Sequence, residues 1–136
     1  MRVLLADDSE LILDTLHEIL SAFNQVEIVA SCTSGTETLE ALRILKPDLA
    51  IVDNKMPGLT GIEVLSEIRK EDKTLKIIIL TFFSSGYYRQ LAMEAGADYF
   101  FSKVDDFEKI PEVVEELILK EKNNQRITMA INHKTL

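Results

Sequence analysis

The chain is poor in the residues that usually announce a function: one cysteine, no tryptophan, two histidines, three prolines and five glycines in 136 residues. A lone Cys32 excludes an internal disulfide and a thiolate zinc cluster, and it agrees with a reducing compartment. Its expected role is that of a small buried hydrophobe rather than a nucleophile. His17 lies in a helical stretch without acidic or aromatic context, so it reads as a surface residue and gives no support to a phosphohistidine carrier. No apolar run reaches the ~18–20 residues that a membrane span requires, and Met1-Arg2 leads straight into a short strand-like run instead of a signal peptide. The expectation is a cytoplasmic protein with no membrane insertion.

Positive charge is also scarce. Fifteen Lys and Arg stand against 23 Asp and Glu, a formal charge of −8, which is a poor basis for gripping a phosphate backbone. Direct nucleic-acid binding is therefore not expected. Gly58-Leu59-Thr60-Gly61 has the GxxG spacing of a single-strand RNA-binding loop, but in an acidic chain and close to Asp53 it reads as a turn before a helix.

What the chain does have is hydrophobic residues, 46% of the composition, enough to build a core. Its length fits one domain on the usual prior of roughly 100–200 residues per domain. Five short apolar runs alternate with five amphipathic helical stretches. The first run, about residues 2–7, precedes a helix from Ser9 that places Ile12, Leu16, Ile19, Leu20 and Phe23 on one face. A second run spans Val26 to Ala30. Ser34 and Glu37 then have capping-box spacing before a helix that stops at Lys46-Pro47. A third run ends on Asp53, and Asn54-Lys55-Met56-Pro57-Gly58 reads as a turn before a second capping-box pair, Thr60 and Glu63. Lys76 to Leu80 reads as a strand buried on both faces. A fourth helix runs through Ala95 and is closed by Gly96, Ala97 to Ser102 forms the fifth strand, and Asp106 caps a last helix. Strands and helices of these lengths predict parallel pairing with right-handed crossovers in a three-layer α/β sandwich. Periodicity alone gives no strand order.

Asp7 and Asp8 follow the first run and Asp53 the third, while Thr81 and Lys103 end the fourth and fifth. In parallel strands all five positions meet at the carboxyl edge of the sheet, where open α/β folds bind ligands. Three carboxylates crowded there repel one another unless a divalent cation, or a hydroxyl and an ammonium group, offsets their charge. Taken singly, Asp7 and Asp8 read as acids at a helix N-terminus; together with Asp53 they read as a site.

Asp7-Asp8-Ser9, Asp53-x-x-Met56-Pro57-Gly58-x-x-Gly61, Leu80-Thr81 and Ala95-Gly96-Ala97-Asp98 before Lys103 together resemble a response-regulator receiver domain. The resemblance covers residues 1 to about 121, and it implies a five-stranded flavodoxin-like sheet in the order 2-1-3-4-5. It further implies that Asp53 accepts a phosphoryl group from a histidine kinase, a histidine phosphotransfer protein or a small acyl phosphate. Asp8, Asp7, Asp53 and the backbone carbonyl of Lys55 would hold Mg2+. Thr81 and Lys103 would donate to the phosphoryl oxygens. Movement of Thr81 would let Phe100 turn inward and alter a surface near Tyr87, Tyr88 and Tyr99 that a downstream protein target reads.

Three departures from the receiver pattern stand out. Val104 follows Lys103 where proline is usual, so a trans bond is expected there. Phe82 and Phe83 follow Thr81 and read as an apolar lid, and Lys55 sits at the opposite gate. Residues 122–136 are too short for an output domain and read as a loosely ordered tail, with Ile127, Met129 and Ile131 alternating as in a short strand. A stand-alone receiver is therefore expected. The alternatives are the receiver portion of a longer DNA-binding regulator and a haloacid-dehalogenase-type phosphatase, whose paired acids stand two residues apart rather than adjacent.

Overall fold

A computed structural model describes residues 1–134. The element order is β1 (Arg2–Ala6), α1 (Glu10–Leu20), β2 (Glu27–Cys32), α2 (Gly35–Leu45), β3 (Leu49–Val52), α3 (Gly61–Ile68), β4 (Lys76–Thr81), α4 (Gly86–Ala95), β5 (Tyr99–Ser102) and α5 (Lys109–Lys134). All neighbouring strands are parallel, in the order β2-β1-β3-β4-β5. Both the layered architecture and the strand order expected from the resemblance are present.

Strand alternation divides the core in two. Leu4, Ala6, Ala50, Val52, Ile77 and Ile79 face α2, α3 and α4, where Leu42, Val64, Leu65, Ile68 and Ala92 meet them. Val3, Leu5, Leu49, Ile51, Ile78 and Leu80 face α1 and α5, against Leu16, Leu20, Ile110, Val114 and Leu117. Helices on both faces explain why β3 and β4 read as continuous apolar runs. Each fully buried Leu or Ile contributes about 1.5–3 kcal/mol, so the central strands are the firmest part of the scaffold.

Helix starts follow the capping chemistry. Thr60 and Glu63 form a complete capping box, with Glu63 N–H donating to Thr60 Oγ1 at 3.1 Å and Thr60 N–H donating to Glu63 Oε1 at 3.0 Å. At α2 only half of it forms. Ser34 Oγ accepts from Glu37 N–H at 3.2 Å, but the Glu37 carboxylate accepts from Thr33 instead. Asp106, expected to cap the last helix, turns its carboxylate back to accept from Ser102 N–H at 2.7 Å, and α5 begins at Lys109. The Asp106 backbone carbonyl accepts from Lys109 N–H.

The tail expected to be loosely ordered, residues 122–136, is described as far as residue 134, and its last two residues lie outside the described residues. Residues 122–134 continue α5 as helix, and Ile127, Met129 and Ile131 lie in it rather than in a strand. The packed first half of α5 already supplies the costly nucleus, so each added residue gains a backbone hydrogen bond. No Gly or Pro interrupts a stretch containing Lys, Gln, Arg, Met and Ala, all good helix formers. β5 is also shorter than expected. Gly96, at φ 107°, turns the chain so that Ala97 N–H donates to Ala92 O and closes α4, and pairing starts only at Tyr99. Among the described residues, no helix is long and apolar enough to cross a membrane.

Cys32 is 1% exposed, and burial, with Glu37 adding to it, pushes its thiol up to about 11. Thiolate is the reactive form. The native protein is therefore expected to resist iodoacetamide at neutral pH for a period in which the urea-unfolded chain is fully alkylated, as read by intact mass. Native labelling at the unfolded rate would contradict the buried placement.

Candidate functional site

The ladder of backbone hydrogen bonds extends past the strand ends and carries the site residues with it. Asp7 N–H donates to Cys32 O at 3.0 Å, Asp53 N–H to Ala6 O at 2.9 Å and Lys103 N–H to Thr81 O at 2.9 Å. Each residue is thus aligned by the neighbouring strand. After Asp53 the chain turns sharply into α3, and Asn54 secures the turn: its carbonyl accepts from Gly61 N–H and its Oδ1 from Ile62 N–H. A Cβ at Gly61 would stand 2.3 Å from the Asp53 carbonyl oxygen, so a residue without a side chain is required for this approach. The motif reading picked out Gly61 but missed Asn54, whose signal was its turn chemistry directly after the acid.

Asp7, Asp53, Thr81 and Lys103 are buried, at 1%, 5%, 0% and 7% exposure, while Asp8 is exposed. Lys103 Nζ bridges the two buried acids, 2.5 Å from Asp7 Oδ2 and 3.2 Å from Asp53 Oδ2. Asp7 Oδ1 also accepts from Ser9 N–H at 2.9 Å. One ligand oxygen from each of Asp7, Asp8 and Asp53 lies within 4.8 Å of the others. These hard oxygen donors, with one side open at Asp8, fit a divalent cation. Burial raises the Asp53 carboxyl above its ordinary range, opposed by Lys103 and reinforced by Asp7.

The Thr81 hydroxyl accepts from Phe83 N–H at 3.1 Å. Phe82 and Phe83 are 58% and 49% exposed, and each lies against a lysine that sequence reasoning did not connect to it. Lys103 Nζ is 5.0 Å from the Phe82 ring centroid and Lys55 Nζ is 5.4 Å from that of Phe83. The Lys103–Val104 peptide is trans. Phe100 is 4% exposed and already faces the core, with Arg89 5.9 Å from its ring centroid.

The three tyrosines divide between two elements, α4 and β5. Tyr87 and Tyr88 pair at 5.4 Å at the start of α4, with Phe83 6.4 Å from Tyr88. Tyr99 is half-buried beside Phe101 against the α1 and α5 side. Strand alternation is the reason, since Tyr99 and Phe101 point to the opposite face from Phe100.

The fold and the carboxyl-edge pocket define a flavodoxin-like α/β protein with an acidic site. The family model for the response regulator receiver domain matches residues 3–115, and the chain belongs to that family. The transcriptional regulatory protein DesR of Bacillus subtilis (strain 168) is 30% identical over 125 residues, covering 92% of this chain and 60% of DesR. The DNA-binding transcriptional activator EvgA of Escherichia coli (strain K12) is 32% identical over 115 residues, covering 85% of this chain and 56% of EvgA. This chain thus spans little more than half the length of these curated relatives. The response regulator domain of Thermotoga maritima CheB superposes with a TM-score of 0.77 at 28% identity, covering 90% of this chain and 96% of that one. The family is one of signalling phosphoacceptors, which interact with histidine kinases and downstream targets, and its members generally bind Mg2+ in an acidic pocket.

The raised Asp53 carboxyl has a stability consequence. A carboxylic acid whose pKa is raised by folding lowers stability as pH climbs from its unfolded pKa, near 3.9, through the raised value. At neutral pH without divalent cations, Asp53→Asn should therefore melt higher than wild type. The gain should shrink as pH falls below the ordinary carboxylate range. A lower midpoint for the variant at neutral pH would contradict this.

Proposed function

We propose that Asp53 is the phosphoacceptor of this receiver and that a phosphohistidine, on a sensor histidine kinase or a histidine phosphotransfer protein, is its donor. The observation that carries the reading is the placement of a buried carboxylate at the end of a central strand, 3.2 Å from an ammonium and grouped with two further acids. A carboxylate oxygen of Asp53 forms the new O–P bond while the P–N bond to the imidazole breaks. Lys103 is already at the acceptor, where it meets the charge of the transferred oxygens. Thr81 has its oxygen occupied by Phe83 N–H but keeps its own proton to donate to a phosphoryl oxygen.

Asp7, Asp8 and Asp53, with the Lys55 carbonyl, are the residues that would hold Mg2+. When bound, that ion neutralises oxygen charge during transfer. The protein's own residues orient the acceptor and exclude water from its buried side. Phe82 and Phe83 form the apolar rim that slows approach of a hydrolytic water. The switch runs from Thr81 to Phe100, and the Phe83-Tyr88-Tyr87 cluster is the part of the surface offered to a downstream protein, with Tyr99 contributing from its separate edge. These partners imply work in the cytoplasm without membrane insertion or direct contact with nucleic acid. One reading is a receiver acting alone. The names of DesR and EvgA favour a second one, the receiver portion of a longer DNA-binding regulator, and the intact mass of the native gene product separates the two.

Incubation with acetyl phosphate and Mg2+, followed by peptide mapping, should find one phosphoryl group on Asp53 and none in Asp53→Asn. Retention of wild-type labelling on Asp7 or Asp8 in that variant would overturn the assignment. Calorimetric titration should show Mg2+ binding weakened far more by Asp8→Ala than by Glu10→Ala, and equal effects would remove Asp8 from the metal site. Replacing Tyr87 and Tyr88 together by Ala should weaken capture of a phosphorylation-dependent partner without changing Asp53 labelling. Unchanged capture would place the interaction elsewhere.

A further inference from the structure

We propose that Phe82 is a positioning residue for phosphoryl transfer, whose ring face holds the Lys103 ammonium at the acceptor; this rests on the reading of Asp53 as the phosphoacceptor. Phe82 is 58% exposed and belongs to neither core cluster, so packing does not explain its orientation. Its neighbour in space is instead an ammonium on a side chain only 3% exposed. Nζ of Lys103 stands between Asp7 Oδ2 at 2.5 Å, Asp53 Oδ2 at 3.2 Å and the Phe82 ring centroid at 5.0 Å. A cation within ~6 Å of a ring centroid is attracted to the negative face, most strongly where water is excluded. The ring contact coexists with both carboxylate contacts, so it reinforces the transfer position and does not draw the lysine out of it.

The following residue makes the arrangement selective. Phe83 takes Lys55, an exposed lysine, at 5.4 Å, and its N–H is tied to Thr81. Consecutive rings therefore sort two lysines, Lys103 to the acceptor and Lys55 to the rim. A cation placed before charge develops needs no reorganisation during transfer.

The test replaces Phe82 with mono-, di- and trifluorinated phenylalanine, which keep the ring and drain its negative face. The rate of transfer from acetyl phosphate to Asp53 should fall stepwise, by about 5-fold across the series. Phe82→Leu should show the same loss at an unchanged melting temperature, and Phe82→Tyr should retain the wild-type rate. The same fluorinated series at Phe83 should leave the Lys103 ε-methylene NMR signal of the metal-free protein unchanged. Independently of activity, the Lys103 ε-methylene NMR signal in the metal-free protein should lose its ring-current shift in Phe82→Leu. A flat or rising series at Phe82, a Lys103 signal that shifts equally on fluorination of Phe83, or a Lys103 signal indifferent to Phe82→Leu overturns the proposal. If wild type itself takes up no phosphoryl group, the acceptor reading fails, and the NMR arm still decides whether Phe82 holds Lys103.

Discussion

The ammonium of Lys103, lodged between the carboxylates of Asp7 and Asp53, is the interaction on which the rest of the site depends. Burial, and then the neighbouring Asp7, raise the cost of ionising Asp53. One lysine compensates part of that charge and leaves the pocket, with Asp8 at its edge, negative overall. The residual charge is what makes a divalent cation a fitting occupant. Burial, with Asp7 adding to it, keeps the Asp53 carboxyl above its ordinary range despite the adjacent ammonium.

The scaffold supplies the rigidity that this balance needs. Asp7, Asp53 and Lys103 sit one residue beyond the ends of β1, β3 and β5, and each is still hydrogen-bonded to the strand alongside. Thr81 closes β4 in register with Ser102. Because β3 and β4 are packed on both faces, Asp53 cannot drift without disturbing two layers of apolar contacts. The Gly61–Asp53 approach ties the start of α3 to the same point.

Much of this was legible in the sequence because it is written in short-range chemistry. Apolar runs ending on Asp7, Asp53, Thr81 and Lys103 marked the carboxyl edge, and the Thr60–Glu63 spacing marked the start of α3. Strand order came from resemblance alone, since a 2-residue period carries no information about neighbours. Three features resisted reading for physical reasons. The helical course of residues 122–134 depends on a nucleus packed earlier in α5, which local alternation at Ile127, Met129 and Ile131 does not reveal. The Asp106 carboxylate takes Ser102 N–H and the Lys109 ammonium instead of a helix-start N–H, partners that the local sequence does not single out. Phe82 and Phe83 read as a lid by composition, but their lysine partners lie far off in sequence, and only the assembled strand ends bring them together.

Lys103 offsets part of the charge that a divalent cation would otherwise neutralise among these acids. Calorimetric titration of Lys103→Met with Mg2+, beside wild type, tests it most directly. Removing one partner of a buried ion pair costs about 3–5 kcal/mol, so the variant should be less stable without metal, should bind Mg2+ more tightly than wild type, and should recover stability as the ion is added. A variant that is as stable as wild type and binds Mg2+ no more tightly would contradict the account.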